Sequence, residues 1–191
     1  MQQWFALLLH SSLVKTLAGN YSDFGALAGA ALDIVAARQG VTLTEQGRQG
    51  ILATVRQLPP HPDVVENLER LRAAGLRLAT LTNSSPEMLA AQMNNSGLTD
   101  YFEMLLSVDE VKRFKPAAET YRMAAEKLGV AIGDTRLVAA HDWDVFGALR
   151  AGCAGAFSAR GVRLYHPLYD APDVNGPDLS SVADQILARD T

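Results

Sequence analysis

The chain has a single cysteine, Cys153, among 191 residues. That excludes an internal disulfide and a four-cysteine zinc site, and leaves a reducing cytoplasm as the expected setting. Long apolar runs are also missing. The longest, Trp4 to Leu9, falls far short of the roughly 20 residues a membrane helix needs. Met1-Gln2-Gln3 carries no basic n-region and no small-residue cleavage site follows, so no secretory signal is visible. Basic residues are scattered and the net charge is −4, which speaks against a nucleic-acid partner because phosphate neutralisation needs a clustered basic face. No repeat or low-complexity tract interrupts the pattern. What is there is ordinary globular material, 48% hydrophobic and 20% charged.

The chain changes character at Leu58-Pro59-Pro60-His61-Pro62, where three prolines in four residues cannot continue a helix. Before it everything reads helical. Trp4, Leu7, Leu8, Leu13 and Leu17 recur at helical spacing; Asp23 can cap a second helix ending at Gly40; Thr44 with Glu45 opens a third. After it, helices and short apolar runs alternate. Strands are expected at Leu76–Thr82, Met104–Val108, Arg136–Ala140 and Cys153–Ser158. Helices are expected from Asp63 to Gly75, Pro86 to Gly97, Pro116 to Leu128, Asp144 to Ala151 and Leu179 to Ala188, with a loop over Tyr165–Gly176. This predicts a helical unit over residues 1–58 and an α/β unit over 59–191, the latter a Rossmann-like parallel sheet with helices on both faces.

In such sheets chemistry sits at the carboxyl ends of the strands. Three polar segments stand there. Thr82-Asn83-Ser84-Ser85-Pro86 brings a hydroxyl, an amide and free N–H groups to a helix start, an anion site or a plain capping loop. Pro116 holds Lys115 out of the helix, where it can project across the strand ends or lie on the surface; Lys112 and Arg113 read as solvated. His141-Asp142-Trp143-Asp144 places two acids after a strand, and both cannot cap the same helix. His10, His61 and His166 join no ligand-spaced cluster, Cys153 reads as core, and Arg160 as bordering the site or on the surface.

Taken together, Leu81-Thr82-Asn83-Ser84-Ser85-Pro86, then Phe114-Lys115-Pro116 with Tyr121, then Ala140-His141-Asp142-Trp143-Asp144 with Gly147 and Ala148 resemble three motifs of the haloacid dehalogenase superfamily, in its L-2-haloacid dehalogenase-like branch. The helices before Leu58, including Tyr21-Ser22-Asp23-Phe24, resemble that branch's helical cap. The resemblance implies a metal-independent hydrolase without cofactor, in which an aspartate forms an ester with the substrate carbon and water cleaves it. It implies substrate-binding roles for Thr82, Asn83, Ser84 and His141, and a pocket-lining role for Phe24 that competes with simple helix packing. Lys115 would orient the nucleophilic carboxylate and Asp144 would pair with it.

Two departures follow. The phosphatase branch needs an acid where Ala140 stands, so magnesium-dependent phosphoryl transfer is disfavoured, although Asp142 and Asp144 could still recruit a cation. The resemblance also expects a strand and an Asp-x-x-Gly-Thr motif ahead of the cap, whereas the cap-like helix here begins at Met1 and Asp23-Phe24-Gly25 fits that motif poorly. The expectation is therefore a sheet lacking its first central strand and a chain inactive alone, its open edges covered in a homodimer or swapped assembly. A small carboxylate or other small anion would be its partner, with no nucleic acid and no membrane; a non-catalytic anion-binding protein is the alternative.

Overall fold

A computed structural model describes residues 2–161 and 163–191. Three helices come first: α1 (Gln2–Leu17), α2 (Phe24–Arg38) and α3 (Glu45–Thr54). The expected start of α1 at Met1 lies outside the described residues. Asp23 and Thr44 cap α2 and α3 as their side chains predict, accepting from the amides of Ala26 (3.0 Å) and Gly47 (3.1 Å). Leu8 of α1 and Leu27, Ala28 and Ala31 of α2 bury against Val108 and Phe114 from the rest of the chain. The Trp4 indole donates to the Ala28 carbonyl across that helix pair.

The remainder alternates: α4 (Val64–Ala73), β1 (Ala79–Thr82), α5 (Pro86–Ser96), β2 (Met104–Ser107), α6 (Ala118–Leu128), β3 (Arg136–Ala139), α7 (Asp142–Ala151), β4 (Ala154–Ser158), β5 (Val174–Gly176) and α8 (Leu179–Asp190). All strand pairs are parallel, with Ala79 opposite Met104, Arg136 opposite Ala154 and Ala156 opposite Val174. Among the described residues the strands form two separate sheets, β1-β2 and β3-β4-β5. Between them, β1 and β3 face each other across a groove of about 590 Å³, walled by α6 on one side and by Leu71 and Ile186 on the other. No described helix is long and apolar enough to cross a membrane.

Several expectations need correction. The loop expected over Tyr165–Gly176 ends in β5, whose Val-Asn-Gly carries no apolar alternation; it is a strand because it pairs with the edge of β4. Asp63 does not cap α4 with its side chain. Its carboxylate instead accepts two hydrogen bonds from Arg160 and one from the Leu179 amide, tying α4, the end of β4 and α8 together. Arg160 is thus spent on architecture. Lys112 and Arg113 are solvent-exposed, as expected, and also make contacts. Lys112 pairs with Asp109 and lies over the Tyr21 ring, while Arg113 donates to the Thr16 carbonyl of α1. The first strand is shorter than expected, starting at Ala79, and α6 starts at Ala118.

Candidate active site

The carboxyl ends of β1 and β3 gather the three polar segments. After β1, the Thr82 hydroxyl accepts from the Ser84 amide (3.1 Å), and the Ser84 carbonyl accepts from the Ser107 hydroxyl (2.6 Å). Ser85 caps α5. Asn83 is buried, and its side-chain oxygen accepts from the Lys115 amide at 3.0 Å. An asparagine with its oxygen so engaged has its NH₂ donors directed elsewhere. Thr82 likewise keeps its hydroxyl proton.

Lys115 does project across the strand ends. Its ammonium donates to Asp144 Oδ2 (2.7 Å) and to the Leu81 carbonyl (2.9 Å), which leaves one of its three N–H bonds free of these partners. The pair is almost fully buried, Lys115 at 9% and Asp144 at 4% exposure. Burying two charges costs desolvation that only good geometry and further hydrogen bonds offset. The further bond comes from Tyr121, whose hydroxyl donates to Asp144 Oδ1 at 2.7 Å. Burial first, then the Asp144 charge and that hydrogen bond, push the Tyr121 hydroxyl far above its usual range, so it remains a donor.

Gly147 makes this approach possible. A Cβ there would overlap Pro116 and stand 2.8 Å from the Tyr121 hydroxyl. In the sequence Tyr121 and Gly147 stand out only as members of the resembling motifs, with no task of their own. The signal was available: a buried acid at Asp144 needs a second donor, and a tyrosine one helix away can supply it.

His141, and neither acid, occupies the cap position of α7. The Asp142 carboxylate accepts from the Trp143 amide (2.8 Å), while Asp144 turns to Lys115. Among the described residues no group of three or more His, Cys, Asp or Glu side chains converges as a metal would require. The His141 ring lies between Phe5 of α1 (5.7 Å between centroids) and Trp143 (5.4 Å). Burial and then the cations Arg163 and Lys115 lower its pKa, against Asp144 and Asp142. Phe24 is tilted on Phe114 at 5.6 Å, a packing contact at the junction between α2 and the segment leading to Lys115. The fold thus unites Lys115, Asp144 and Asn83 directly and puts Thr82 at the end of β1 and Ser84 and His141 on the adjoining loops, with Phe24 one ring removed.

Comparisons with known proteins fit this geometry. A family model described as haloacid dehalogenase-like hydrolase matches residues 6–152. The chain is 33% identical over 161 residues to (S)-2-haloacid dehalogenase 1 of Pseudomonas sp. (strain CBS-3), covering 84% of this chain and 68% of that protein. It is 34% identical over 159 residues to the (S)-2-haloacid dehalogenase of Xanthobacter autotrophicus, covering 83% of this chain and 62% of the relative. Among solved structures, the L-2-haloacid dehalogenase from Xanthobacter autotrophicus with chloropropionic acid covalently bound superimposes with a TM-score of 0.92 at 28% identity, over 98% of this chain and 85% of that one.

Proposed function

The chain belongs to the haloacid dehalogenase-like hydrolases, and from that premise we propose that its strand-end site is shaped for small 2-halocarboxylates on a metal-independent, aspartyl-ester route, while the chain by itself does not complete that route. Residues 1–58 act as a helical cap over the core of residues 59–191. The free donors of Thr82 and Asn83 take the substrate carboxylate; Ser84 and His141 border it, and Phe24 helps close the cap side. Lys115 orients a carboxylate for attack on the halogen-bearing carbon, which expels halide and leaves an ester. Asp144 holds the lysine and helps place the water that cleaves it.

The observation that carries this reading is the buried Lys115–Asp144 pair at 2.7 Å, anchored by Asn83 and Tyr121 at the strand ends. The same observation supports inertness. Among the described residues Asp144 is the one carboxylate paired with Lys115, and both of its oxygens are already occupied. A carboxylate so enclosed is a poor nucleophile, and losing one catalytic group can remove most of a rate enhancement. Purified chain incubated with L-2-chloropropionate should release no halide above buffer; robust release would overturn the inert reading.

Because one ammonium N–H and the Asn83 amide remain available, binding of small anions without turnover is the second reading, read out by titration calorimetry with L-lactate and phosphate. A magnesium-dependent phosphatase is disfavoured by Ala140 and by the engagement of Asp142 and Asp144 within the protein. We read the chain as cytoplasmic. The unpaired edges of β1 and β3 also support self-association, as a homodimer or swapped assembly, whenever nothing else covers them. Light scattering that finds a monomer across the micromolar range would refute this last point.

A further inference from the structure

Among the residues bordering the strand-end site, His141 is the one whose side-chain type ordinarily changes charge near neutral pH. It follows β3 and holds the cap position of α7, yet no side-chain hydrogen bond from it reaches that helix, and no other partner engages its ring nitrogens among the described residues. A neutral imidazole has one donor and one acceptor and an imidazolium has two donors, so its capacity for a ligand is unspent. The ring is half-buried, with the Phe5 ring 5.7 Å and the Trp143 ring 5.4 Å away between centroids. Two aromatic rings within about 6 Å suit a cation better than aliphatic walls do, because their faces carry negative charge.

The charges around the ring come from three directions. Arg163, on the segment after β4, donates to the Ala140 carbonyl at 2.7 Å, one residue before His141. Lys115 arrives from the segment before α6, already paired with Asp144. Asp142 and Asp144 stand on α7 itself, and Asp142 accepts from the Trp143 amide. From α1 comes Phe5 and no charge, since Gln2 to Leu9 contains no ionisable side chain. Two cations thus face two anions, and burial decides: together with Arg163 and Lys115 it pushes the His141 pKa down, against Asp144 and Asp142, so the ring of the empty site is neutral. An arriving carboxylate breaks the balance by adding one negative charge at the spare donors of Lys115, Asn83 and Thr82. We propose that the strand-end site takes up a proton together with its anion: when a small monocarboxylate binds, His141 becomes an imidazolium between Phe5 and Trp143 and a further contact to the bound anion. The proton comes from solvent and no covalent bond in the ligand changes. This rests on the small-carboxylate reading of the site and adds to it a pH at which binding is strongest.

The test titrates L-lactate into the whole chain by calorimetry, between about pH 6 and pH 8, in two buffers of different ionisation heat. Lactate stays ionised throughout, so any proton taken up goes to the protein. Uptake of about half a proton per lactate is expected near pH 6.5, with a Kd about tenfold tighter at pH 6 than at pH 8. The neutral isostere L-lactamide should show neither effect. An NMR titration of the His141 ring needs no variant, and its midpoint should rise when lactate saturates the site. His141→Asn should abolish the uptake, and Phe5→Leu, which removes one of the two rings, should reduce it. Lactate binding with one affinity at both ends of the pH range, an unmoved His141 midpoint, or uptake that survives His141→Asn would overturn the proposal while leaving the anion site standing. Absence of lactate binding at every pH would overturn both. Halide release plays no part in these readouts.

Discussion

At the strand ends, Lys115 and Asp144 are buried together: two charges at 2.7 Å, with Tyr121 and Leu81 taking further hydrogen bonds and Asn83 fixing the Lys115 backbone, one ammonium N–H staying outside this set. Alongside them, the facing edges of β1 and β3 stand open, and Val138 of β3 is 40% exposed where Ala156 of the neighbouring β4 is fully buried. The contrast separates two demands that a parallel sheet usually meets at once. Orientation of a buried ammonium needs only a few local partners, most of them on loops and helices. Burial of strand edges needs another strand. The first is satisfied within the chain's own contacts while the second is not, so the charged site does not depend on a closed sheet for its geometry.

The largest effect should come from breaking the closed side. Lys115→Met leaves the Asp144 charge buried without its partner and should cost about 3–5 kcal/mol in urea unfolding. Adding Asp144→Leu should recover much of that loss, because removing both charges removes the desolvation problem. Gly147→Ala comes next. The added methyl pushes into Pro116 and the Tyr121 hydroxyl, and an overpacked site of this kind costs about 1–3 kcal/mol in a thermal melt. On the open side, Val138→Lys should change stability by no more than about 0.5 kcal/mol while shifting any dimer toward monomer in light scattering. If instead it unfolds the chain as a substitution at Ala156 would, the edge is not open in solution.

The smallest effect is a pH dependence at the border of the two regions. His141 has a folded pKa below its ordinary 6.5, through burial and then through Arg163 and Lys115, opposed by Asp144 and Asp142. The unfolded chain therefore takes up the proton first. Stability is unaffected above about pH 6.5 and falls as the pH drops through the window between the unfolded and folded values. His141→Asn should flatten the acid limb of a melting-temperature profile, and an NMR titration of the ring should show the depressed midpoint directly.

How much of this was legible beforehand depends on what carried each signal. The helices were readable because caps are local: Asp23, Thr44 and Ser85 sit where their side chains meet the first amides. Lys115 was readable because Pro116 forbids it a place in the helix. The strand pattern with the family resemblance led to one parallel sheet short of its first central strand; the described strands form two sheets, β1-β2 and β3-β4-β5. What failed was non-local. Asp63 looks like a cap by its neighbours in sequence, yet its partners Arg160 and Leu179 arrive from about a hundred residues away. β5 has no pattern of its own and exists by pairing. Tyr121 and Gly147 needed the third dimension, since their roles lie in one hydroxyl reaching one carboxylate past a missing side chain.

Three successive residues, Arg113 to Lys115, alternate their allegiance. The Arg113 guanidinium and the Phe114 amide both hold Thr16 at the end of α1, and the next residue carries the buried ammonium. The end of α1 is thereby tied to the backbone that carries the buried ammonium. Any displacement of the end of α1 would pull on the segment that seats Lys115 against Asp144. The hydrogen-bonded amides of Phe114 and Lys115 should accordingly exchange together, in a single opening event.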